Sequence, residues 1–129
     1  IQKKEIMEFL NTNVGKRMQN AARAKTLYRE QPFVLGVDAK EFYPDQKKGE
    51  MVLIQGIIDA YFEEDGEIIV LDYKTDRVQT EAELKDRYRE QLRLYTKALE
   101  QITRKKVKEQ IIYSFTLCKE IHLEGYKND

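Results

Sequence analysis

The sequence predicts an α/β fold, a central mixed sheet flanked by helices, and three observations carry that prediction. Apolar residues at helical spacing over 2–24 give way to strand-like patterning over 27–74. A long helical stripe then follows Thr80, and another apolar run closes the pattern at 107–117. The pair Asp65-Gly66 stands between two apolar runs, the strongest short hairpin signal a sequence offers. With 129 residues, the chain fits one domain around one modest core.

Each element has its own reason. Ile6, Phe9, Leu10, Met18 and Ala21 or Ala22 recur at helical spacing, and 11–15 interrupts them, so two helices are expected. Residues 27–43 are rich in aromatic and β-branched side chains and contain Pro32, which suits an edge strand. A polar turn is expected at 44–49, strands at 51–62 and 67–74, and a turn at 63–66 between them. Thr80 and Glu83 have capping-box spacing, so Thr80 can accept from the Glu83 amide while Glu83 reaches back. Behind them runs the stripe Leu84, Tyr88, Leu92, Tyr95, Leu99, Ile102. Arg104, Lys105 and Lys106 are expected to close its last turn, where the helix dipole favours cations. The final strand, 107–117, is allowed to run on to Leu123.

Composition excludes more than it names. Lysine plus arginine equals aspartate plus glutamate at 23 each, so only a local basic face could serve nucleic acid. The single cysteine, Cys118, rules out an intrachain disulfide or a four-cysteine metal site and is expected to be a buried free thiol. No apolar run approaches membrane-spanning length; no membrane partner and a cytoplasmic location are expected. No phosphate-binding loop of the Walker type is present, so no ATPase is expected within the chain.

The segment from Gly56 to Lys74 carries the chemistry. A two-residue turn at Asp65-Gly66 sets Asp59 across from Asp72, and Ile57 across from Lys74. Alternation then gathers Asp59, Asp72 and Lys74 on one face, leaving Ile58, Ala60, Phe62, Ile69, Leu71 and Tyr73 on the other as core. Two opposed carboxylates, with Cβ atoms about 5 Å apart, repel each other, and apolar strands penalise their charge further. A hard divalent cation between them removes both costs. Beside it, Lys74 could orient a water or stabilise charge on a phosphate undergoing attack. An ordinary Lys74–Asp72 salt bridge on an exposed hairpin is the alternative, and a one-residue slip would part the aspartates.

Three ordered motifs sharpen the choice: Gly56-Ile57-Ile58-Asp59, Asp72-Tyr73-Lys74-Thr75 and Gln91-Leu92-Arg93-Leu94-Tyr95. Together they resemble the RecB-type nucleases of the PD-(D/E)XK superfamily, over nearly the whole chain. Arg29-Glu30-Gln31-Pro32-Phe33 and Asp72-Tyr73-Lys74-Thr75-Asp76-Arg77-Val78 resemble most the carboxy-terminal nuclease domain of AddA-type helicase–nucleases. The resemblance implies a restriction-endonuclease-like core. It implies Asp59, Asp72 and the Tyr73 backbone carbonyl as ligands of Mg²⁺ or Mn²⁺, Lys74 as the catalytic lysine, and site roles for Gln91 and Tyr95. Gln91 and Tyr95 also share a helix face, where Gln91 interrupts the apolar stripe. A glutamine there is a satisfied core amide or a site residue, and Tyr95 a core tyrosine or a site residue.

The implied function is a metal-dependent DNA exonuclease in double-strand-break repair and homologous recombination. The implied partners are DNA, a helicase motor in the same parent chain and a second AddB-like subunit. A nuclease-like DNA-binding module without turnover is the alternative, and a purely structural domain a third. One feature departs from the family: RecB-type nucleases carry a histidine ligand on a helix near the start of the domain. The sole histidine here, His122, does not match it and is expected at the surface. Residues 1–129 are therefore expected to be one nuclease domain, a carboxy-terminal piece of a larger helicase–nuclease lacking its first helix. An uncovered apolar patch and weak activity in isolation follow from that expectation. Glu30 is a minor candidate acid. Arg77, Lys85, Arg87, Arg89, Arg93 and Lys97 surround the motif helix, as a solvated face or as contacts to a DNA backbone.

Overall fold

A computed structural model describes residues 2–41, 45 and 49–123. Helices α1 (Lys3–Leu10) and α2 (Asn13–Arg23) precede strands β1 (Leu27–Asp38), β2 (Met51–Glu64) and β3 (Glu67–Lys74). Helix α3 (Glu81–Thr103) and strands β4 (Val107–Ser114) and β5 (Lys119–Leu123) complete the chain. The five strands lie in sequence order in one mixed sheet, with β3 and β4 parallel and every other pair antiparallel. The parallel pair is the one joined by α3, as a helical crossover requires. The sequence-predicted turn at 44–49 and the end of the 27–43 run fall largely outside the described residues.

Helices cover both faces. On one side α3 lays Leu84, Leu92, Tyr95 and Leu99 over Phe33, Leu35, Ile58, Tyr61, Val70 and Ile112. On the other, Phe9 of α1 and Val14, Met18 and Ala21 of α2 meet Ala60, Phe62, Ile69, Leu71 and Tyr113. Local chemistry sets the helix ends. Thr12 caps α2 by accepting from the Gly15 amide, and Thr80 caps α3 by accepting from Glu83. Glu83 reaches back one residue further than the capping-box pattern predicts, accepting from the Gln79 amide at 3.2 Å.

The β2–β3 hairpin has the predicted register. Glu64 faces Glu67, and Asp65 (φ 52°) with Gly66 (φ 79°) form the turn. Positive φ at both central residues is what a type I′ turn needs, which is why Asp-Gly succeeds here. The turn is thus two residues rather than four.

Alternation, however, does not run unbroken along β2. Ile58 packs on the α3 side, whereas Ala60 and Phe62 pack on the α1–α2 side. The expectation that Ile58 shares a face with Ala60 and Phe62 is corrected. The phase changes at Asp59, where the ladder to β1 skips one position opposite Glu30, whose φ is 51°. A left-handed residue in one strand rotates the pleat, so the β1–β2 hairpin turns over relative to the rest of the sheet.

Other expectations also change. The 107–117 run is not one strand but β4 followed by a turn into β5, and His122 lies on β5, exposed. Cys118 is exposed in that turn rather than buried, because the chain reverses one residue after the apolar run ends. Arg104 is a left-handed cap (φ 61°) and Lys105 and Lys106 follow it, so the three cations lie beyond the last turn of α3. Ile102 is exposed. Val34, Met51, Leu53 and Ile57 are each more than half exposed, on the face of the β1–β2 hairpin away from α3.

Candidate metal and catalytic site

The sheet forks where β2 and β3 part. Their ladder ends at Ala60 opposite Leu71; beyond it β2 stays with β1, while Asp72, Tyr73 and Lys74 pair only with Ile112, Tyr113 and Ser114 of β4. Asp59 is the first residue of β2 past the end of that ladder. Its Oδ2 accepts from the Tyr73 amide at 2.9 Å, a side chain taking the place of a backbone partner. Asp59 therefore does not stand on one face as predicted but turns into the gap between the strands. There its carboxyl lies within hydrogen-bond reach of Asp72.

Asp72 is 2% exposed and projects toward α3. Lys74, two residues on and hence on the same face, places its Nζ 2.9 Å from Asp72 Oδ2. The contact is an ion pair without good hydrogen-bond angles, so Oδ2 is paired by charge but accepts no well-formed hydrogen bond. The Asp72 carboxyl is pushed up to about 7, by burial first and then by Asp59, with Lys74 pulling the other way. Its nearest cation thus leaves the charge incompletely compensated.

Helix α3 supplies the roof. Gln91 Oε1 accepts from Lys74 Nζ at 2.9 Å, so the amide that interrupts the apolar stripe is aimed at the sheet. Tyr95, one turn on, is buried and packs edge-to-face on Phe33 with ring centres 5.6 Å apart. Gly56 makes room for that pair, since a Cβ there would come within 2.8 Å of the Phe33 ring. Burial, followed by the negative charges of Asp72 and Asp59, pushes the Tyr95 phenol up to about 12, which keeps it neutral beside the carboxylates.

The structure therefore brings together Asp59, Asp72, Lys74, Gln91 and Tyr95. The Tyr73 side chain departs to the opposite face, where its hydroxyl donates to Met18 Sδ at 3.4 Å, leaving only its backbone at the fork. Openings flank the fork: a cavity of about 480 Å³ touches Asp59, Glu30 and Arg29 from the α1 side, and one of about 430 Å³ touches Gln91 and Tyr95 from the α3 side. Another cavity, about 810 Å³ between β1 and the end of α3, contains none of these residues. Two neighbours escape sequence reasoning. Tyr88 is legible only as a stripe residue, yet its ring centre lies 3.9 Å from Lys74 Nζ, and Asp76 holds its hydroxyl. The three-residue step from Tyr88 to Gln91 was the available signal.

The donor set suits a hard cation. The fork offers the carboxylates of Asp59 and Asp72, oxygen donors both. No group of three or more His, Cys, Asp and Glu that could hold a metal occurs among the described residues, so nothing here resembles a zinc cage. His122 instead lies beside Glu120 at 2.9 Å and Glu109 at 3.6 Å, both near the α2 side of the sheet.

The motif helix carries less free positive charge than its sequence indicates. Arg87 pairs with Asp76 and Glu83, Arg89 with Asp86, Arg93 with Glu90 and Glu41, and Lys97 with Glu41. Interleaved acids neutralise this ridge.

Comparison with known proteins places these features in a family. A model of the PD-(D/E)XK nuclease superfamily matches residues 3–123. An ATP-dependent helicase/nuclease polypeptide of Thermoanaerobacter sp. (strain X514) is 44% identical over 116 residues, covering 86% of this chain and 9% of that protein. The protein of the same name from Clostridium kluyveri (strain ATCC 8527) is 41% identical over 87% of the chain and 9% of its own length. That from Lachnoclostridium phytofermentans is 38% identical over 93% of the chain and 11% of its own. The chain thus spans about a tenth of the length of the curated relatives it matches.

Proposed function

This chain belongs to the PD-(D/E)XK nuclease superfamily, and from that premise we propose that it is the Mg²⁺- or Mn²⁺-dependent deoxyribonuclease domain of a helicase–nuclease polypeptide. One observation carries the reading: two carboxylates, Asp59 and the buried Asp72, share a single cation, Lys74, with a glutamine closing over it. A structural ion pair needs one carboxylate; a second beside it leaves negative charge that one lysine does not balance.

Asp59, Asp72 and the Tyr73 carbonyl would hold the cation. When bound, it supplies Lewis-acid polarisation of a phosphate and lowers the pKa of water. The chain's own residues do the rest. The Tyr73 amide fixes the Asp59 carboxylate through Oδ2, which leaves its other oxygen for the cation. Lys74 carries the positive charge to the point where a phosphodiester gains negative charge during attack. Gln91 holds that ammonium from α3, and Tyr95 closes the inner wall with a neutral phenol. Arg77 makes no ion pair among the described residues, and it follows the site on the loop into α3; it is the contact we assign to a DNA backbone phosphate. In the whole polypeptide the domain would cut DNA strands delivered by the helicase portion during break repair and recombination, in the company of an AddB-like subunit.

The test is cleavage of linear DNA with Mg²⁺ and with Mn²⁺, in this chain and in the longest polypeptide that carries it, with Asp72→Asn and Lys74→Met beside the parent. Metal-dependent cleavage lost in both variants supports the reading. DNA binding without metal-dependent cleavage in the long polypeptide would instead make the domain a binding module.

A further inference from the structure

Lys74 meets three groups: Asp72 Oδ2 and Gln91 Oε1, each at 2.9 Å, and the face of the Tyr88 ring, whose centre is 3.9 Å away. These supports are not equivalent. Asp72 Oδ2 cannot give the same lone pairs to the ammonium and to a divalent cation. A Lys74 held by Asp72 alone would be set free whenever that oxygen is otherwise engaged. Tyr88 and Gln91 both come from α3, three residues apart and so on one face, and neither is a candidate metal ligand.

The Tyr88 ring is itself pinned. Its hydroxyl donates to Asp76 Oδ2 at 2.6 Å, and the same oxygen accepts from Arg87 Nη1 at 2.7 Å. Asp76 lies two residues beyond Lys74, on the loop that joins β3 to α3. The loop therefore fixes the tip of the ring while the helix fixes its root, and the ammonium rests on the face between. A cation over a tyrosine ring at this distance is attracted by the ring quadrupole, an interaction that a carboxylate or a bound metal does not compete for.

We propose that Tyr88, locked by Asp76, is a positioning residue for Lys74: with Gln91 it forms a cradle on α3 that holds the ammonium at the fork independently of Asp72. This rests on the nuclease reading for its consequence, but its geometry is testable without catalysis. An aliphatic residue at 88 removes the cradle's floor. Phenylalanine keeps the floor and cuts only the link to Asp76.

The experiment is a ¹H–¹³C spectrum of the protein with ¹³C-labelled lysine, the Lys74 signal being identified by its loss in Lys74→Arg. A methylene above an aromatic ring is shifted upfield, so the Lys74 ε-CH₂ is expected as an upfield outlier. It should persist when Mg²⁺ is added, survive in Tyr88→Phe and vanish in Tyr88→Leu. In cleavage assays, Tyr88→Leu should lose on the order of tenfold in kcat with KM for DNA unchanged, and Tyr88→Phe should recover most of it. If Tyr88→Leu does not fold, the wild-type and Tyr88→Phe spectra with and without Mg²⁺ decide the matter alone. A Lys74 ε signal at the ordinary lysine position in wild type, or its return there on Mg²⁺ addition, overturns the proposal. So does equal activity in Tyr88→Leu and wild type. Absence of metal-dependent cleavage with the upfield signal intact would count against the nuclease reading and leave the cradle standing.

Discussion

Two places in this molecule put two carboxylates around one cation, and they are electrostatic opposites. On the α2 side, Arg17 meets Glu64 through Nε at 2.9 Å and Nη2 at 2.8 Å, and meets Glu109 through Nη1 at 3.2 Å and again through Nη2. Its planar fork matches both acids, and these hydrogen bonds hold the Glu64 and Glu109 carboxyls below their ordinary value while pushing the guanidinium up. At the fork, one lysine faces two aspartates, and Asp72 rises instead of falling. The charge count is the same; the difference lies in donor geometry and burial. A saturated cluster fastens α2 to β2 and β4. The fork has one lysine for two carboxylates, the deficit that the proposed cation would make up.

The largest expected effect tests that contrast directly. Asp72→Asn or Lys74→Met should lower metal-dependent DNA cleavage by at least about 100-fold, with the unfolding midpoint of Asp72→Asn no lower than wild type. Arg17→Met should leave the catalytic rate per folded molecule unchanged. It should instead cost about 2 kcal/mol of stability in urea unfolding, because two partly buried glutamates lose their shared cation. Reversal of these two patterns would erase the comparison.

Titration separates the regions next. The folded chain holds a proton on Asp72 up to about 7, whereas an unfolded aspartate releases it near 3.8. The folded state therefore binds more protons in that window, and metal-free stability should fall as pH rises from about 4 to about 7, by about 2 kcal/mol or more. Asp72→Asn should flatten that slope. Glu64 and Glu109, held low, act in the other direction: their contribution is present above 4.5 and is lost only as the solution becomes more acidic than that. Urea unfolding of wild type and Asp72→Asn at three pH values reads both. The smallest effect concerns the cation. Added Mg²⁺ or Mn²⁺ should raise the thermal midpoint of wild type near pH 8 by a few degrees and leave Asp72→Asn unmoved. An equal shift in both would place the metal elsewhere.

How much of this was legible depended on the range of the interactions involved. The hairpin register from Asp65-Gly66, the two amino-terminal helices and the start of α3 at Thr80 were readable because each is set within a few residues. The expectation that Asp59, Asp72 and Lys74 gather came from that register, and Gln91 was conspicuous as a polar break in an apolar stripe. The faces of β2 were misassigned, since strict alternation assumes a uniform pleat and Glu30 in the neighbouring strand interrupts it. Cys118 and the β4–β5 turn were misread for a related reason: an apolar run does not show where it reverses.

By itself, then, the sequence determined the order and kinds of elements as far as α3 and the register that brings Asp59 near Asp72 and Lys74, because turn chemistry, capping and period are local properties of the chain. Only the tertiary structure decided that β2 and β3 part at Asp59, that the Asp59 carboxylate replaces a ladder partner, and that Asp72 is buried with Gln91 of α3 closing over its lysine. It also decided that Asp76 pins Tyr88 beneath Lys74. Those outcomes depend on how α3 presses onto a forked sheet and how far water is excluded there. Burial and close packing are properties of the assembled layers, and no single segment encodes them.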